Sequence, residues 1–367
     1  MPRIIVTGGG TGGHLYPMLA IADSLCAAGV SAHEIRLIGS SRGEDRRILA
    51  ESNYRVSLWP GRGIRRSISP RALLANARAL VGITGSFILG AVTAVFWRPD
   101  VVVSVGGYAS FPMSLGAVLT RRTLILVELD AATGLAQRLV KRFATKRCVA
   151  FTTDDPLAVV TGVPLRATLQ HVSPETRVTA KSAMVPKIES SKTVVLVMTG
   201  SLGAKSVNDA ISELAVLWAS RTDVALIQVT GRRDFARVKS REVHEALDYR
   251  IIEFADMTKL WPIADIAICR AGATTVAELG VVGVPAVLIP LPNSPSDHQA
   301  HNARALEEAG AAFVIEDSEL SATTLAATLE KLFSTETRGS MAKRMQRMGH
   351  PQASADIAEV IVKACNR

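Results

Sequence analysis

Continuous runs of apolar residues alternate along this chain with segments in which apolar residues recur at helical spacing. Uninterrupted apolar runs are typical of parallel strands buried on both faces of a sheet, and helical spacing indicates helices that cover such a sheet. In the first half, strands are predicted at residues 3–7, 35–38, 54–59, 101–105, 123–128 and about 147–151. The second half restarts the pattern at 194–198 and continues at 224–229, 251–254, 266–269, 286–289 and 312–315. The pattern predicts an α/β fold with two Rossmann-like, doubly wound halves.

The boundary between the halves is predicted near residues 161–166, where a flexible glycine and a stiff proline occur together. We expect an N-terminal domain at 1–163 and a C-terminal domain at 164–340, with a last helix at about 341–367 that packs back on the first domain. The length of 367 residues allows a core in each domain. Residues 171–192 are polar and show no strong period.

A glycine-rich loop, Gly8-Gly9-Gly10-Thr11-Gly12-Gly13-His14, follows the first predicted strand. Without side chains, backbone N–H groups can approach a ligand closely, and a helix N-terminus behind them favours negative charge. We expect that helix to start near Pro17. The loop is interpreted as a cradle for phosphate groups, because a simple tight turn would need only some of these glycines.

A glycine-rich first turn is also typical of nicotinamide-dependent oxidoreductases. Those enzymes bind the ribose hydroxyls through an acidic residue at the end of the second strand. Here that strand continues into Gly39-Ser40-Ser41-Arg42, without an acid. The oxidoreductase interpretation is therefore disfavoured.

The composition favours a folded protein that binds an anionic ligand or an anionic surface. Apolar residues make up 48% of the chain, and the formal net charge is +9. Nucleic acid is not expected as a partner, because only 5% of residues are aromatic and no zinc-finger or RNA-recognition signature occurs. Since the N-terminus enters a core strand directly, we predict no signal peptide and a cytoplasmic location.

No metal site or disulfide framework is predicted. The four cysteines are far apart in the sequence. His298 and His301 lie three residues apart at the start of a late helix, but no third ligand accompanies them. We interpret both histidines as polar contacts.

No acidic residue occurs between Gly61 and Arg98, where five arginines, including Arg62, Arg65 and Arg66, precede an apolar stretch. The stretch is long enough to cross a membrane, but its glycines and hydroxyl residues and the flanking strands disfavour a span. We predict a helix or helix pair with an exposed apolar side beside a basic rim, as in proteins that dock on anionic membranes. An ordinary core helix is the alternative.

Glycine turns also follow strands in the second half. Residues 199–204 form one such turn, and a later strand passes through Gly272 into a helix that Thr274 or Thr275 is placed to cap. Glu278 falls in the first turns of that helix. Its carboxylate could accept two ribose hydroxyls, or it could only compensate the helix dipole.

Two further turns follow strands of the first half. Gly106 and Gly107 come after one strand, and Glu128 and Asp130 come at the end of the next. Since ligands of open α/β sheets bind beyond the carboxyl ends of strands, we expect these residues to lie at one edge with His14.

Five motifs, in this order along the whole chain, resemble the N-acetylglucosaminyltransferases that make lipid II in peptidoglycan synthesis. They are Gly9-Gly10-Thr11-Gly12-Gly13-His14, Val105-Gly106-Gly107-Tyr108, the turn Gly200-Ser201-Leu202-Gly203-Ala204, Cys269-Arg270-Ala271-Gly272-Ala273-Thr274-Thr275-Val276-Ala277-Glu278, and His298-Gln299 with Asn302-Ala303. The resemblance implies a GT-B type fold, in which two Rossmann-like domains face a cleft. The N-terminal domain would bind the lipid acceptor, and the C-terminal domain would bind the UDP-sugar.

The resemblance also implies an activity. The enzyme would move GlcNAc from UDP-GlcNAc to the 4-hydroxyl of undecaprenyl-diphosphate-MurNAc-pentapeptide (lipid I), with inversion and without metal or other cofactor. It would act as a peripheral protein on the cytoplasmic face of the cell membrane, in a pathway that sets cell shape and division.

Position by position, the resemblance places Thr11, Gly12 and Gly13 by the donor and the acceptor diphosphate. It places Arg166 and Ser201 by the UDP phosphates. The other substrate-binding residues that it implies are Gly106, Gly107, Asp130, Ala273, Thr274, Thr275, Val276, Ala277, Glu278 and Gln299.

Three positions depart from the family pattern. The family usually has His-Glu-x-Asn where this chain has Val127-Glu128-Leu129-Asp130, and Leu202 replaces a usual glutamine. Two alternatives stay open: a related UDP-sugar transferase with another lipid acceptor, and a non-catalytic nucleotide-sugar-binding scaffold of the cell wall.

His14 and Glu128 are the predicted catalytic residues. An attacking sugar hydroxyl has a very high pKa, so it needs a proton acceptor whose own pKa is near neutrality, as that of histidine is. We expect His14 to be this base, with Glu128 and Asp130 as rivals. Alternatively, His14 only caps the loop or hydrogen-bonds the acceptor diphosphate.

Overall fold

The computed structural model describes residues 2–10, 12–42, 45–60, 85–166, 169, 171–200, 202–241, 245–294 and 297–366. The chain divides into two compact units, and each contains its own parallel sheet. Unit 1 comprises Met1–Ala167 and His350–Arg367, and unit 2 comprises Thr168–Gly349. The two ends of the chain therefore belong to the same unit.

Unit 1 contains the strands β1 (Ile4–Gly8), β2 (Ile35–Ser40), β3 (Arg55–Trp59), β4 (Val101–Gly106), β5 (Thr123–Glu128), β6 (Lys146–Val149) and β7 (Ala158–Val160). They form a parallel sheet in the order β3-β2-β1-β4-β5-β6-β7. The helices between them are α1 (Gly12–Ala27), α2 (Asp45–Ala50), α3 (residues 85–96), α4 (Phe111–Leu119) and α5 (Leu135–Val140).

Unit 2 contains the strands β8 (Thr193–Met198), β9 (Val224–Val229), β10 (Asp248–Ile252), β11 (Ile266–Cys269), β12 (Ala286–Leu288) and β13 (Ala312–Val314), in the order β10-β9-β8-β11-β12-β13. Its helices are α6 (Pro174–Ala183), α7 (Lys205–Leu217), α8 (Phe235–Lys239), α9 (Met257–Leu260), α10 (Ala273–Val282), α11 (His298–Glu308), α12 (Ala322–Phe333) and α13 (Thr335–Arg347). The chain then returns to unit 1 with α14 (Ala353–Cys365). The predicted fold class, two Rossmann-like doubly wound units, is confirmed.

The buried strands explain why the apolar runs located the sheets so well. Every residue of β4 and of β9 is buried, as expected for central parallel strands covered on both faces. On one face of the unit 1 sheet, Ala94 of α3, Met113 of α4 and Val140 of α5 pack into a single apolar cluster. Helices α3, α4 and α5 therefore form one layer.

Helices α3 and α4 approach each other closely enough that no side chain fits between them. A Cβ atom on Gly116 would lie 2.6 Å from the backbone carbonyl of Gly90, and one on Gly90 would lie 2.4 Å from the carbonyl oxygen of Pro112. Beside this contact, the rings of Phe87 and Phe111 pack edge to face with centroids 5.5 Å apart.

Three local predictions need correction. Helix α1 begins at Gly12, and Pro17 lies inside it, because glycines carry no apolar signal for the first turn. The polar stretch at 171–192 contains α6, which Ser173 caps by accepting a hydrogen bond from the Thr176 N–H at 3.2 Å. The short edge strand β7 was not predicted.

No helix among the described residues is long and apolar enough to cross a membrane. Residues 61–84, which include Arg62, Arg65 and Arg66 of the predicted basic segment, lie outside the described residues. The described part of that segment is α3, whose Phe96 is 80% exposed while Ala94 is buried.

The close contact between α3 and α4 predicts that one added methyl group destabilises the fold. We expect Gly116→Ala to lower the free energy of unfolding by about 1–3 kcal/mol, because two backbones must move apart. Denaturant unfolding measures this change. Gly85→Ala in α3 is the control, since outside its own helix no atom of the described residues lies within 4 Å of its Cβ position. Equal effects of the two substitutions would contradict the close packing.

Candidate active site

The glycine loop of unit 1 lies where the sheet reverses its strand order. Strand β1 is flanked by β2 on one side and by β4 on the other, so the loops after β1 and β4 leave a gap between them. The first turn of α1 has no acidic residue to compensate the positive end of the helix. This end of the sheet is therefore suited to bind an anion.

Buried side chains hold the loop from both sides. The Gly10 N–H donates to both carboxylate oxygens of Asp45, at 3.1 and 3.0 Å, and the Ser40 N–H donates to the same carboxylate at 2.8 Å. On the other side, a Cβ atom on Gly10 would lie 2.4 Å from the ring of Tyr108. Only glycine fits at this position, which also has a φ of +95°.

His14 lies in the first turn of α1 against the turn that follows β4. A Cβ atom on Gly106 would lie 3.1 Å from Cδ2 and 3.2 Å from Nε2 of the His14 ring, and one on Gly107 would lie 2.1 Å from the carbonyl oxygen of Gly9. The imidazole is half-buried. The fold thus brings His14, Gly106 and Gly107 together, as expected, next to Gly12 and Gly13; Thr11 lies outside the described residues.

Glu128 is placed differently from the prediction. Its side chain is 5% exposed and forms a two-pronged ion pair with Arg147, at 2.5 Å from Nε and 2.8 Å from Nη2. The Thr133 hydroxyl donates to the same carboxylate at 2.6 Å, and Arg147 also pairs with Asp155. Arg147 and Thr133 therefore occupy both carboxylate oxygens of Glu128. Asp130 is half-buried two residues beyond the end of β5.

In unit 2, the turn after β8 packs against a second turn after β9. A Cβ atom on Gly231 would lie 2.3 Å from the backbone nitrogen of Gly203, and one on Gly203 would lie 2.8 Å from a carboxylate oxygen of Asp234. Asn208, fully buried on α7, donates to the Thr230 carbonyl and to Asp234, both at 3.0 Å. Ser201 lies outside the described residues, and Leu202 is 67% exposed.

Helix α10 begins with Gly272 as its N-cap residue and without a side-chain cap. The predicted cap by Thr274 or Thr275 is therefore wrong: both residues lie within the first turn, with Ala273, Val276 and Ala277 around them. The side-chain oxygen of Thr274 is buried and has no hydrogen-bond partner among the described residues. The start of α10 thus keeps uncapped backbone N–H groups.

Glu278 accepts a hydrogen bond from the indole nitrogen of Trp261 at 3.0 Å. Burial raises the pKa of this carboxyl to about 7, and the bond from Trp261 opposes the rise only in part. The side-chain amide of Asn302, on α11, donates to the Ala271 carbonyl at 3.1 Å and so ties α11 to the same loop.

Gln299 and Arg166 are the remaining predicted residues. Gln299 is half-buried near the start of α11, and its amide oxygen accepts a hydrogen bond from the Leu291 N–H at 3.0 Å. Arg166 belongs to unit 1, where its guanidinium lies over the ring of Tyr16 at 5.5 Å from the centroid. No group of three or more potential metal-ligating side chains occurs within the described parts of the chain.

Comparison with known proteins assigns each unit to a domain of one glycosyltransferase family. The profile described as "Glycosyltransferase family 28 N-terminal domain" matches residues 4–149, and the profile described as "Glycosyltransferase family 28 C-terminal domain" matches residues 194–361. The chain belongs to glycosyltransferase family 28. The resemblance predicted from the five motifs is confirmed.

Within family 28, two relatives carry the name UDP-N-acetylglucosamine–N-acetylmuramyl-(pentapeptide) pyrophosphoryl-undecaprenol N-acetylglucosamine transferase. The Salinibacter ruber protein is 34% identical, with 100% of this chain and 98% of the relative covered. The Halothermothrix orenii protein is 35% identical, with 98% of each covered. The crystal structure of Acinetobacter baumannii MurG matches with a TM-score of 0.78 and 25% identity, over 99% of this chain and 100% of that one.

The sequence patterns did not reveal the residues that contact the glycine loops after β1 and β8. Asp45 contacts a residue 35 positions away, and Asn208 contacts one 22 positions away, so no local pattern could pair them. No acidic residue ends the second strand, as expected, but Asp45 follows five residues after Ser40, at the start of α2. Its carboxylate is 1% exposed and contacts the loop backbone.

The position of Glu278 predicts a pH-dependent stability. The pKa of Glu278 in the folded chain is raised to about 7, so the folded chain holds this proton more strongly than the unfolded chain. The free energy of unfolding therefore falls as the pH rises from the pKa of an unfolded glutamate towards 7. We expect Glu278→Gln to be more stabilising at pH 8 than at pH 5, by on the order of 1–3 kcal/mol. Denaturant unfolding of the ligand-free protein at both pH values measures it.

Glu253→Gln, at an exposed position of the same unit, is the control and should have the same effect at both pH values. A Glu278→Gln effect that does not change between pH 5 and pH 8 would show that the carboxyl is not held protonated.

Proposed function

We propose that this chain makes lipid II: it transfers GlcNAc from UDP-GlcNAc to the 4-hydroxyl of undecaprenyl-diphosphate-MurNAc-pentapeptide. The observation that carries this function is the similarity to N-acetylglucosamine transferases named for this lipid acceptor. It extends along the whole chain, through both units and both glycine loops. The reaction forms a bond from the acceptor oxygen to C1 of GlcNAc and breaks the bond from C1 to the diphosphate. The electron pair of that bond leaves with UDP, and the hydroxyl proton passes to the enzyme.

Unit 2 binds the UDP-sugar in this proposal. The uncapped start of α10 and the carboxyl of Glu278 supply donors and an acceptor for the nucleoside, and the turn at 200–204 before α7 supplies N–H groups for the diphosphate. Gln299, near the start of α11, would contact the donor sugar.

Unit 1 binds the acceptor, with its diphosphate at the glycine loop and the start of α1. His14 is the general base of the proposal, since it is a half-buried imidazole at the edge where the acceptor hydroxyl must lie. Asp130, beyond the end of β5, and Glu128, whose carboxylate is paired with Arg147, are the rival bases of the proposal.

The test of this function is UDP release with UDP-GlcNAc and a short-chain lipid I analogue. We expect His14→Ala to lower kcat by about 10²–10⁴-fold, because the attacking hydroxyl loses its proton acceptor. The affinity for UDP, measured by calorimetry, should stay near the wild-type value.

Glu278→Ala is the complementary variant. It should weaken UDP binding by about 1.5–3 kcal/mol, because the hydrogen bonds from two ribose hydroxyls to this carboxyl are lost. If His14→Ala keeps the wild-type kcat and raises only the acceptor KM, the base is Glu128 or Asp130 instead. If the wild-type protein releases no UDP from this pair of substrates, the proposed function is wrong.

The layer of α3, α4 and α5 supports docking on the membrane surface that carries the acceptor. Apolar side chains are exposed along α3 and α5 and just after α5, at Ile88, Val92, Val95, Phe96, Leu135, Leu139 and Phe143. Arg138 and Arg142 are exposed among them. Apolar side chains with adjacent cations are the composition of a surface that inserts shallowly between anionic lipid headgroups. The protein would thus act peripherally, at the cytoplasmic face of the membrane.

This docking surface predicts that Phe96→Ser lowers binding to phosphatidylglycerol vesicles in sedimentation assays. Replacement of Arg138 and Arg142 by Gln should weaken the free energy of vesicle binding by about 1 kcal/mol per charge removed. The same change at Arg62, Arg65 and Arg66 should have the same effect, and added salt should weaken binding of the wild-type protein in the same way. Val216→Ser, at a 63% exposed apolar position of unit 2, is the matched control. Equal binding to neutral and anionic vesicles would contradict the assignment.

A further inference from the structure

Asp45 combines burial, charge and a contact with the glycine loop, and none of the predicted site residues has this combination. It is the first residue of α2 and is 1% exposed. Burying a carboxylate is costly unless hydrogen-bond donors surround it. Here the backbone N–H groups of Gly10 and Ser40 supply three contacts of 2.8–3.1 Å.

The contact between the loop and Asp45 leaves no room for a side chain at Gly9. A Cβ atom on Gly9 would lie 2.1 Å from Oδ2 of Asp45, so the backbone of the loop rests directly on the carboxylate. On the opposite side, Tyr108 closes on Gly10, and its hydroxyl hydrogen-bonds the Ser40 hydroxyl at 3.0 Å. The loop is therefore clamped between an aspartate and a tyrosine.

Unit 2 also has an aspartate at the corresponding place in its fold, with different contacts. Asp234 directly precedes α8, the helix after the second strand of its sheet, just as Asp45 begins α2 after β2. It is 5% exposed and lies against Gly203, in the turn after the first strand of unit 2. Its carboxylate accepts from the side chain of Asn208 and pairs with two arginines, whereas Asp45 accepts directly from backbone N–H groups of the loop.

We propose that Asp45 is a positioning residue, whose charge fixes the amide of Gly10 and so holds the loop at residues 8–13 in the shape that receives the acceptor diphosphate. The role in catalysis rests on the proposed function, whereas the role in holding the loop does not. Asparagine at this position would present an amide nitrogen, a donor, to one of the two N–H groups, so the loop would lose an acceptor.

The test compares Asp45→Asn with wild type by hydrogen-exchange mass spectrometry and by steady-state kinetics. We expect amide exchange to accelerate at least tenfold in residues 8–13 and at Ser40, whose N–H donates to the same carboxylate, and not elsewhere in unit 1. Turnover should fall at least tenfold with a raised acceptor KM, while the affinity of unit 2 for UDP stays unchanged. Asp45→Glu, which keeps the charge, should lie between wild type and Asp45→Asn in both measurements.

Asp100→Asn is the matched control. Asp100 accepts a hydrogen bond from the Arg3 N–H at 2.7 Å, so it makes the same kind of bond at the opposite end of β1. This variant should leave exchange in residues 8–13 and the acceptor KM unchanged.

Unchanged exchange in residues 8–13 of Asp45→Asn would overturn the proposal, as would a loss of activity with no change in acceptor KM. Should Asp45→Asn not fold, Asp45→Glu decides: faster exchange confined to the loop and Ser40 supports the proposal, and a uniform change or none overturns it. If wild type shows no transferase activity, exchange alone still tests the positioning role, and only the proposed function fails.

Discussion

A loop made almost entirely of glycine cannot hold its own shape, because it has no side chains with which to pack or hydrogen-bond. The loops that end β1 and β8 are therefore only as well defined as the groups beneath them. In unit 1 those groups are Asp45 and Tyr108, and in unit 2 they are Asn208 and Asp234. His14 follows the unit 1 loop directly, in the first turn of α1.

The same burial that fixes the loops decides which charged residues can take part in chemistry. Glu128 lies at a strand end, where functional side chains collect, yet Arg147 and Thr133 occupy its oxygens. Glu278 also lies beyond a strand, but its partner is the single indole N–H of Trp261, and its burial favours the protonated form. Two carboxylates in similar positions of the fold thus have different partners: a buried guanidinium for Glu128 and an indole N–H for Glu278.

Much of the fold could be predicted from the sequence, since central parallel strands are marked by apolar runs that no other element has. The edges were harder. Strand β7 is short and only partly buried, α6 depends on its Ser173 cap, and the first turn of α1 consists of glycines that carry no helical signal. The motifs located the loops of the candidate site, but the partners of those loops lie tens of residues away and were invisible before the chain was folded.

The return of the chain to unit 1 has a consequence for synthesis. Helix α14 packs on α1 and buries Ile357 and Ile361. Unit 2 contains none of the residues 353–365, so its core is complete without them. Unit 1 is complete only when α14 has been made and has packed on α1. A translation product that stops before residue 353 would thus contain a whole unit 2 and a unit 1 with part of α1 uncovered, and it would be exposed to proteases.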